Sequence, residues 1–399
     1  MSRWLKLSVI ILLVCLNPAA FADMDYQPAN PVWQKEFEYP GFSCIPQLLA
    51  VRNDGNIIVI GTMLNQRDSN ADGRIWQWTL NKKTGERLED ITLKSAKPKD
   101  CGAISSFWPS KGLDVIDDNE IHLFVGFMER DGKNLISYKK GRTIEKYEIK
   151  TKANASDFLG RIKRINPEEY FIYGMDTKDQ NAVLQKRNNN NDVVWEKHYQ
   201  YGSWNWISDI AQSRFDGWKA ITGWTRVENH KSDIAWINII DNNGIELARE
   251  EFDINSASMI QTPQIAVLDN NNIAVVYNRA FEGQVTNIEY RIYSPDLKLK
   301  FKDSVAVYKM DFPNYGSAAI DGGFVIVQDV LEPGIQYRVV NQYDCDGRKI
   351  RAIKLDGVGG LGGDQIIIEG KGKTVYIASL KSPVFPPVKT VITALELGQ

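Results

Sequence analysis

The residues with the clearest chemical potential lie in RDSNADGRIW (67–76), where Asp68, Asn70 and Asp72 alternate and Gly73 follows. Oxygen ligands at positions one, three and five with glycine at six open a calcium-binding loop. Such a loop also needs a bidentate carboxylate at position twelve, which here falls on Thr79, while position nine falls on Trp76. Calcium at Asp68, Asn70 and Asp72 is therefore one expectation. A solvated hairpin loop turned by Asp72-Gly73 is the other.

Other reactive groups are sparse. The histidines are His122, His198 and His230, too scattered for histidine-rich metal or haem chemistry, and no nucleophile stands beside a base or a phosphate-binding loop. No catalytic residue and no cofactor apart from that calcium is expected. The acids Asp68, Asp72, Asp100, Asp114, Asp209 and Asp364 could supply a carboxylate pair for glycan cleavage, if the fold brought two within reach.

At the N-terminus, Arg3 and Lys6 precede an apolar run from Leu7 to Leu16 and the small-residue pattern Ala20-Phe21-Ala22. This is the layout of a secretory signal peptide over 1–22, with cleavage near Ala22 and a mature domain over 23–399, periplasmic or secreted. Cys15 invites a lipoprotein reading, but Val14 stands where a lipobox wants a small residue. No later stretch is long and apolar enough to span a bilayer. Without Arg3 and Lys6, 46 basic residues face 50 acidic ones, a net charge of −4. That balance leaves no footprint for nucleic acid or anionic lipid.

What must position these groups is a repeat. AVRNDGNIIVIGTML (50–64) and AQSRFDGWKAITGWT (211–225) share a polar Asp-Gly turn and an apolar strand ending near glycine. Each is followed by a Trp-containing strand (75–81 and 234–241), a glycine turn and a charged strand (86–93 and 245–252). The signal recurs near residues 116, 165, 268, 320 and 369, giving about seven units of roughly fifty residues, the length of a four-stranded blade. VWQKEFEY (32–39) matches the internal fourth strand VWEKHYQY (194–201), whereas the last unit has three strands. The expectation is an all-β fold: one seven-bladed β-propeller whose N-terminal strand completes the C-terminal blade and removes the free edges. Two packed sandwiches fit the even spacing less well.

DGWKAITGWTR, INIIDNNG and VVWEKHY resemble bacterial extracytoplasmic propellers with Trp-x-Lys-x-Tyr and Asp-Gly-Gly repeats. The resemblance implies the fold over most of 31–398, with diverse functions. LNKKTGERL (80–88) looks like the Thr-Gly turn of quinoprotein-type propellers but occurs once and lacks the closing Trp; the sialidase Asp box is not matched.

Up-and-down connectivity puts second-to-third-strand loops and blade-to-blade loops on one face. The RDSNADGR loop (67–74) and the connections carrying Trp108, Trp204, Asn205, Trp206, Phe312, Tyr315 and Phe385 are expected there, as a binding surface for a protein partner or, alternatively, a glycan. Trp204 and Trp206 as plugs between blades is the competing reading. Trp76, Trp78, Trp195, Trp218 and Trp236 fall within strands and are expected to pack sheet against sheet. Cys44 and Cys101 are placed just before consecutive first strands, so a disulfide joins them in this reading and Cys345 is left over. The function expected is non-catalytic binding, with an inhibitor or immunity-type role as one form. The alternative is a carbohydrate-active lyase or hydrolase.

Overall fold

The computed structural model describes residues 26–40, 42–65, 73–96, 113–115, 120–125, 134–139, 143–148, 158–166, 168–176, 178–190, 192–227, 233–254, 263–281, 284–310, 315–332, 335–355, 366–381 and 389–398. All regular structure in them is β. Each unit of the repeat forms an up-and-down antiparallel sheet, and the sheets stand as blades of a β-propeller. The first blade holds Phe42–Val51, Ile57–Asn65, Gly73–Leu80 and Arg87–Ala96. The second holds Leu113–Val115, Glu120–Val125, Asn134–Lys139 and Thr143–Glu148; the third, Phe158–Asn166, Glu169–Asp176, Ala182–Asn188 and Val193–Tyr199. In the fourth come Trp204–Gln212, Lys219–Arg226, Ile234–Ile240 and Glu246–Asp253, and in the fifth Gln264–Val267, Ile273–Phe281, Gln284–Tyr293 and Leu299–Met310.

Two sheets involve the N-terminal segment. Trp33–Phe37 lies antiparallel to Lys389–Glu396 and completes a closing blade with Thr374–Lys381 and Ile367–Lys371. Gln27–Pro28 pairs in parallel with Lys349–Leu355, so the sheet of Tyr315–Ile320, Gly323–Glu332, Ile335–Asp344 and Lys349–Leu355 has five strands. This corrects the expectation of a seven-bladed propeller built of four-stranded blades. The structure has six four-stranded blades, and the remaining sheet is five-stranded. The cause is backbone pairing: Ala29 N donates to Lys354 O at 3.2 Å, while the Tyr26 ring packs edge-on against Tyr337 at 6.0 Å.

The repeated glycine and tryptophan are two halves of one packing device. Gly223 stands opposite Trp236, and a Cβ at Gly223 would sit 2.3 Å from the indole; Gly61 and Trp76 repeat the arrangement. The missing side chain makes room for the ring. Trp76, Trp78 and Trp236 are buried completely, each contributing roughly 4–6 kcal/mol as an upper value.

A second device joins neighbouring blades. Third and outer strands are linked by turns whose first residue, Asn81, Asn188, Asp241 or Asp344, caps later backbone amides with its side-chain oxygen. The outer-strand Trp of one blade sits on the next blade's turn. Trp33 Nε1 donates to Lys82 O and Trp195 Nε1 to Asn242 O, both at 2.9 Å. Gly85, at φ +69°, lies against the Trp33 ring, where a Cβ would come within 2.4 Å.

Just after these turns, the outer strands carry a β-bulge at Leu88, Val194, Leu247, Lys300 and Ile350. Bulges disrupt the pairing edge and blunt it against strand addition. At the same end, first-to-second-strand turns link blade to blade: Arg214 to Asp269, Gly322 N to Asp269 at 2.7 Å, Asp321 N to Gly372 O at 2.8 Å, and Lys371 Nζ to Arg52 O at 2.9 Å.

Candidate functional site

The inner strands of the third and fourth blades bring a charged cluster to the interior. Arg161 and Lys163 alternate onto one face of Phe158–Asn166, with Tyr173 opposite Arg161 in register. Facing them, a bulge at Ser208 in Trp204–Gln212 turns Asp209 inward. Arg161 donates to Ser208 O at 2.5 Å; Lys163 Nζ reaches Asp209 Oδ1 at 3.2 Å and bonds Ile210 O. Asp209 Oδ1 also accepts from Ile210 N at 2.8 Å, and its Oδ2 accepts from Ile265 N of the fifth blade at 3.1 Å.

Arg161, Tyr173, Ser208 and Asp209 are buried; the Lys163 side chain keeps 27 % exposure. Burial pulls the Arg161 pKa down, and Tyr173, Asp209 and Tyr315 oppose that. Burial also holds the Tyr173 hydroxyl well above its usual pKa, helped by Asp209 and opposed by Arg161. Tyr315, reaching in from the five-stranded sheet, is raised by burial, with Arg161 lowering it and Asp209 raising it. Its hydroxyl donates to Val276 O at 3.2 Å.

Several residues expected on an exposed binding face are placed inside. Asn205, Trp206 and Tyr315 lie on inner strands and are buried at 1 %, 4 % and 3 % exposure, which corrects their reading as exposed binding residues. Trp206 joins the core with Met175 and Trp224. Asn205 is a structural pin. Its Oδ1 accepts from Tyr201 N, Gly202 N and Thr225 Oγ1, and its Nδ2 donates to Gln180 O and Gly202 O. All its hydrogen-bonding groups are engaged in fastening the connection between the third and fourth blades.

Trp204 remains partly exposed, with the Arg226 guanidinium 5.9 Å from its ring centroid and Arg226 paired to Asp233 at 3.2 Å. Of the remaining binding candidates, Trp108, Phe312 and Phe385 lie outside the described residues. Asp68, Asn70 and Asp72 do too. No group of three potential metal ligands occurs among the described residues.

Cys44 lies within the first inner strand, opposite Met63, and not before it; the thiol is free and fully buried. Desolvation pushes its pKa up to about 12, against a smaller lowering by Arg87. The expected bridge to Cys101 was not found: no disulfide occurs among the described residues, and Cys101 lies outside them. The structural roles expected of the strand tryptophans describe Trp76, Trp78 and Trp236 well. Reading by sequence missed Arg161, Lys163 and Tyr173; the available signal was a pair of cations at i and i+2 in a unit's first strand.

No family model matches this chain, and no curated protein is similar to it in sequence. Solved structures are similar in fold. The polysaccharide lyase Uly1 shares 10 % identity with a TM-score of 0.51, over 95 % of this chain and 94 % of that one. The WD40 domain of SCAP from fission yeast shares 12 % identity with a TM-score of 0.46, over 93 % of this chain and 98 % of that one. The molecule is an all-β propeller. Among the described residues, no helix is long and apolar enough to cross a membrane.

Proposed function

We propose that this chain is a non-catalytic binding or scaffold protein of the extracytoplasmic space, holding a protein partner on the face where the inner strands begin. The observation that carries this is the state of Asp209. Its oxygens accept from Lys163, Ile210 N and Ile265 N, so this interior carboxylate is occupied in joining the third, fourth and fifth blades. A general acid or base needs a carboxylate free to exchange a proton with substrate. Partner contact is assigned to Trp204 under Arg226, since a partly exposed aromatic beside a guanidinium is the chemistry enriched at binding hot spots. An inhibitory or immunity-type role is one form of this reading. The signal-peptide-like pattern of Arg3, Lys6, the apolar run Leu7 to Leu16 and Ala20-Phe21-Ala22 supports the extracytoplasmic part of this reading.

The test is to incubate the purified mature chain with a panel of uronate-containing and neutral polysaccharides and follow new reducing or unsaturated ends. The reading expects none above background. Product formed by the wild type and lost in a folded Asp209→Asn variant would replace it with the glycan-cleaving alternative.

A further inference from the structure

The outer edge of the five-stranded sheet already holds an added strand. Gln27 and Pro28 are both exposed, yet they pair in parallel with Ile353 and Lys354 on Lys349–Leu355. The pairing lies beyond the bulge at Ile350, which blunts only the start of that edge. Ala29 N donates to Lys354 O at 3.2 Å. Every other sheet among the described residues has four strands, so this edge is where an additional strand is accepted.

The pairing comes with an aromatic anchor. Tyr26 packs on a small apolar cluster of Val330, Tyr337, Val339 and Ala352, each at most 5 % exposed with Tyr26 in place. A backbone edge beside a pocket for one side chain is how sheets capture extended peptides: main-chain bonds give affinity and the pocket gives specificity. Asn30, Pro31 and Val32 separate this arm from Trp33–Phe37, which pairs with Lys389–Glu396, so the arm can leave without opening the ring. Arg348, Lys349 and Arg351 precede the paired residues with no acid among them, while Asp23 and Asp25 precede Tyr26 in the sequence. Acidic residues ahead of the aromatic suit an edge of that charge.

We propose that this edge and the pocket under Tyr26 form an acceptor site for an extended segment of a partner protein, with acidic residues ahead of an aromatic one. That segment pairs in parallel with Ile353 and Lys354 and puts its aromatic side chain on Tyr337 and Val339. The chain's own arm, Tyr26 to Ala29, holds the site until such a segment displaces it. The site is on a different sheet from Trp204, so either reading could fail without the other.

The test titrates the full mature chain, as wild type and as Tyr26→Ala, into a fluorescein-labelled peptide of residues 23–30, read by anisotropy. The arm competes with the peptide, so Tyr26→Ala, which weakens the arm, binds it about tenfold or more tightly than the wild type. A peptide carrying Tyr26→Ala lacks the anchor, and one N-methylated at residue 29 lacks the donor to Lys354 O. Each binds the Tyr26→Ala chain about tenfold or more weakly than the unaltered peptide, a comparison that needs no further protein variant to fold. No saturable binding to the Tyr26→Ala chain, or equal binding of all three peptides, would overturn the proposal. Sedimentation velocity of the wild type should show a monomer. A dimer abolished by Tyr26→Ala would also overturn the proposal, by assigning the edge to the arm of a second copy.

Discussion

The indole N–H of Trp195 donates to the carbonyl of Asn242 across the boundary between the third and fourth blades, at 2.9 Å. Trp33 makes the same bond to Lys82 where the N-terminal strand of the closing blade meets the first. The Trp-x-Lys-x-aromatic strand and the Asn- or Asp-led turn ending in glycine are thus the two parts of one inter-blade latch.

Because the latch at Trp33 also holds the ring closed, it should be costly to remove. Trp33 is 7 % exposed and packs on Gly85 and near Tyr376. Trp33→Ala should lose about 3–5 kcal/mol of unfolding free energy. Gly85→Ala should lose about 2–4 kcal/mol, since the methyl meets the indole and φ is positive. Urea unfolding of both variants, read by tryptophan fluorescence and circular dichroism, checks this.

Asn205 should matter to stability beyond its size. Asn205→Ala leaves the amides of Tyr201 and Gly202 and the carbonyl of Gln180 without their side-chain partner, at a cost of about 2–4 kcal/mol. Asn205→Asp should be at least as damaging, because a carboxylate cannot donate to Gln180 O or Gly202 O. The urea midpoints of the two variants give the comparison.

Alkaline pH should weaken the fold through Cys44. Its thiol titrates near 9 when unfolded and about 12 when folded, so above pH 9 the unfolded state binds fewer protons than the native one. Stability is fully present below pH 9 and falls as pH rises toward 12, by up to about 1.4 kcal/mol per unit. The buried hydroxyls of Tyr173 and Tyr315, also raised, add the same sign of slope above about pH 10. Unfolding free energies measured between pH 8 and 10 should decline in the wild type and stay flatter in Cys44→Ala.

The repeat was legible because each unit marks its turns with Asp-Gly or Asx-led tetrads and its buried strands with apolar runs. The closing strand was legible because VWQKEFEY copies VWEKHYQY. The fifth strand at Gln27–Pro28 was not, since a two-residue parallel pairing rests on backbone groups and leaves little pattern. Trp204-Asn205-Trp206 read as a loop because aromatic and amide residues cluster there, yet the inner strand starts at Trp204 and its alternation buries Asn205 and Trp206. The charged cluster was hidden for another reason. Arg161 and Lys163 meet Ser208 and Asp209 from 46 or 47 residues away, one whole unit along the chain, and only the stacking of blades brings them together.

The most direct test of the account is capture by the tagged mature chain in its own compartment, with cross-linking in intact cells and quantitative mass spectrometry against an untagged control. The account predicts a protein recovered in fixed proportion to the bait, with recovery cut about tenfold or more by Trp204→Ala in a variant that still unfolds cooperatively, as expected when a hot-spot aromatic is removed. Identical protein profiles from tagged wild type, Trp204→Ala and untagged control would contradict it.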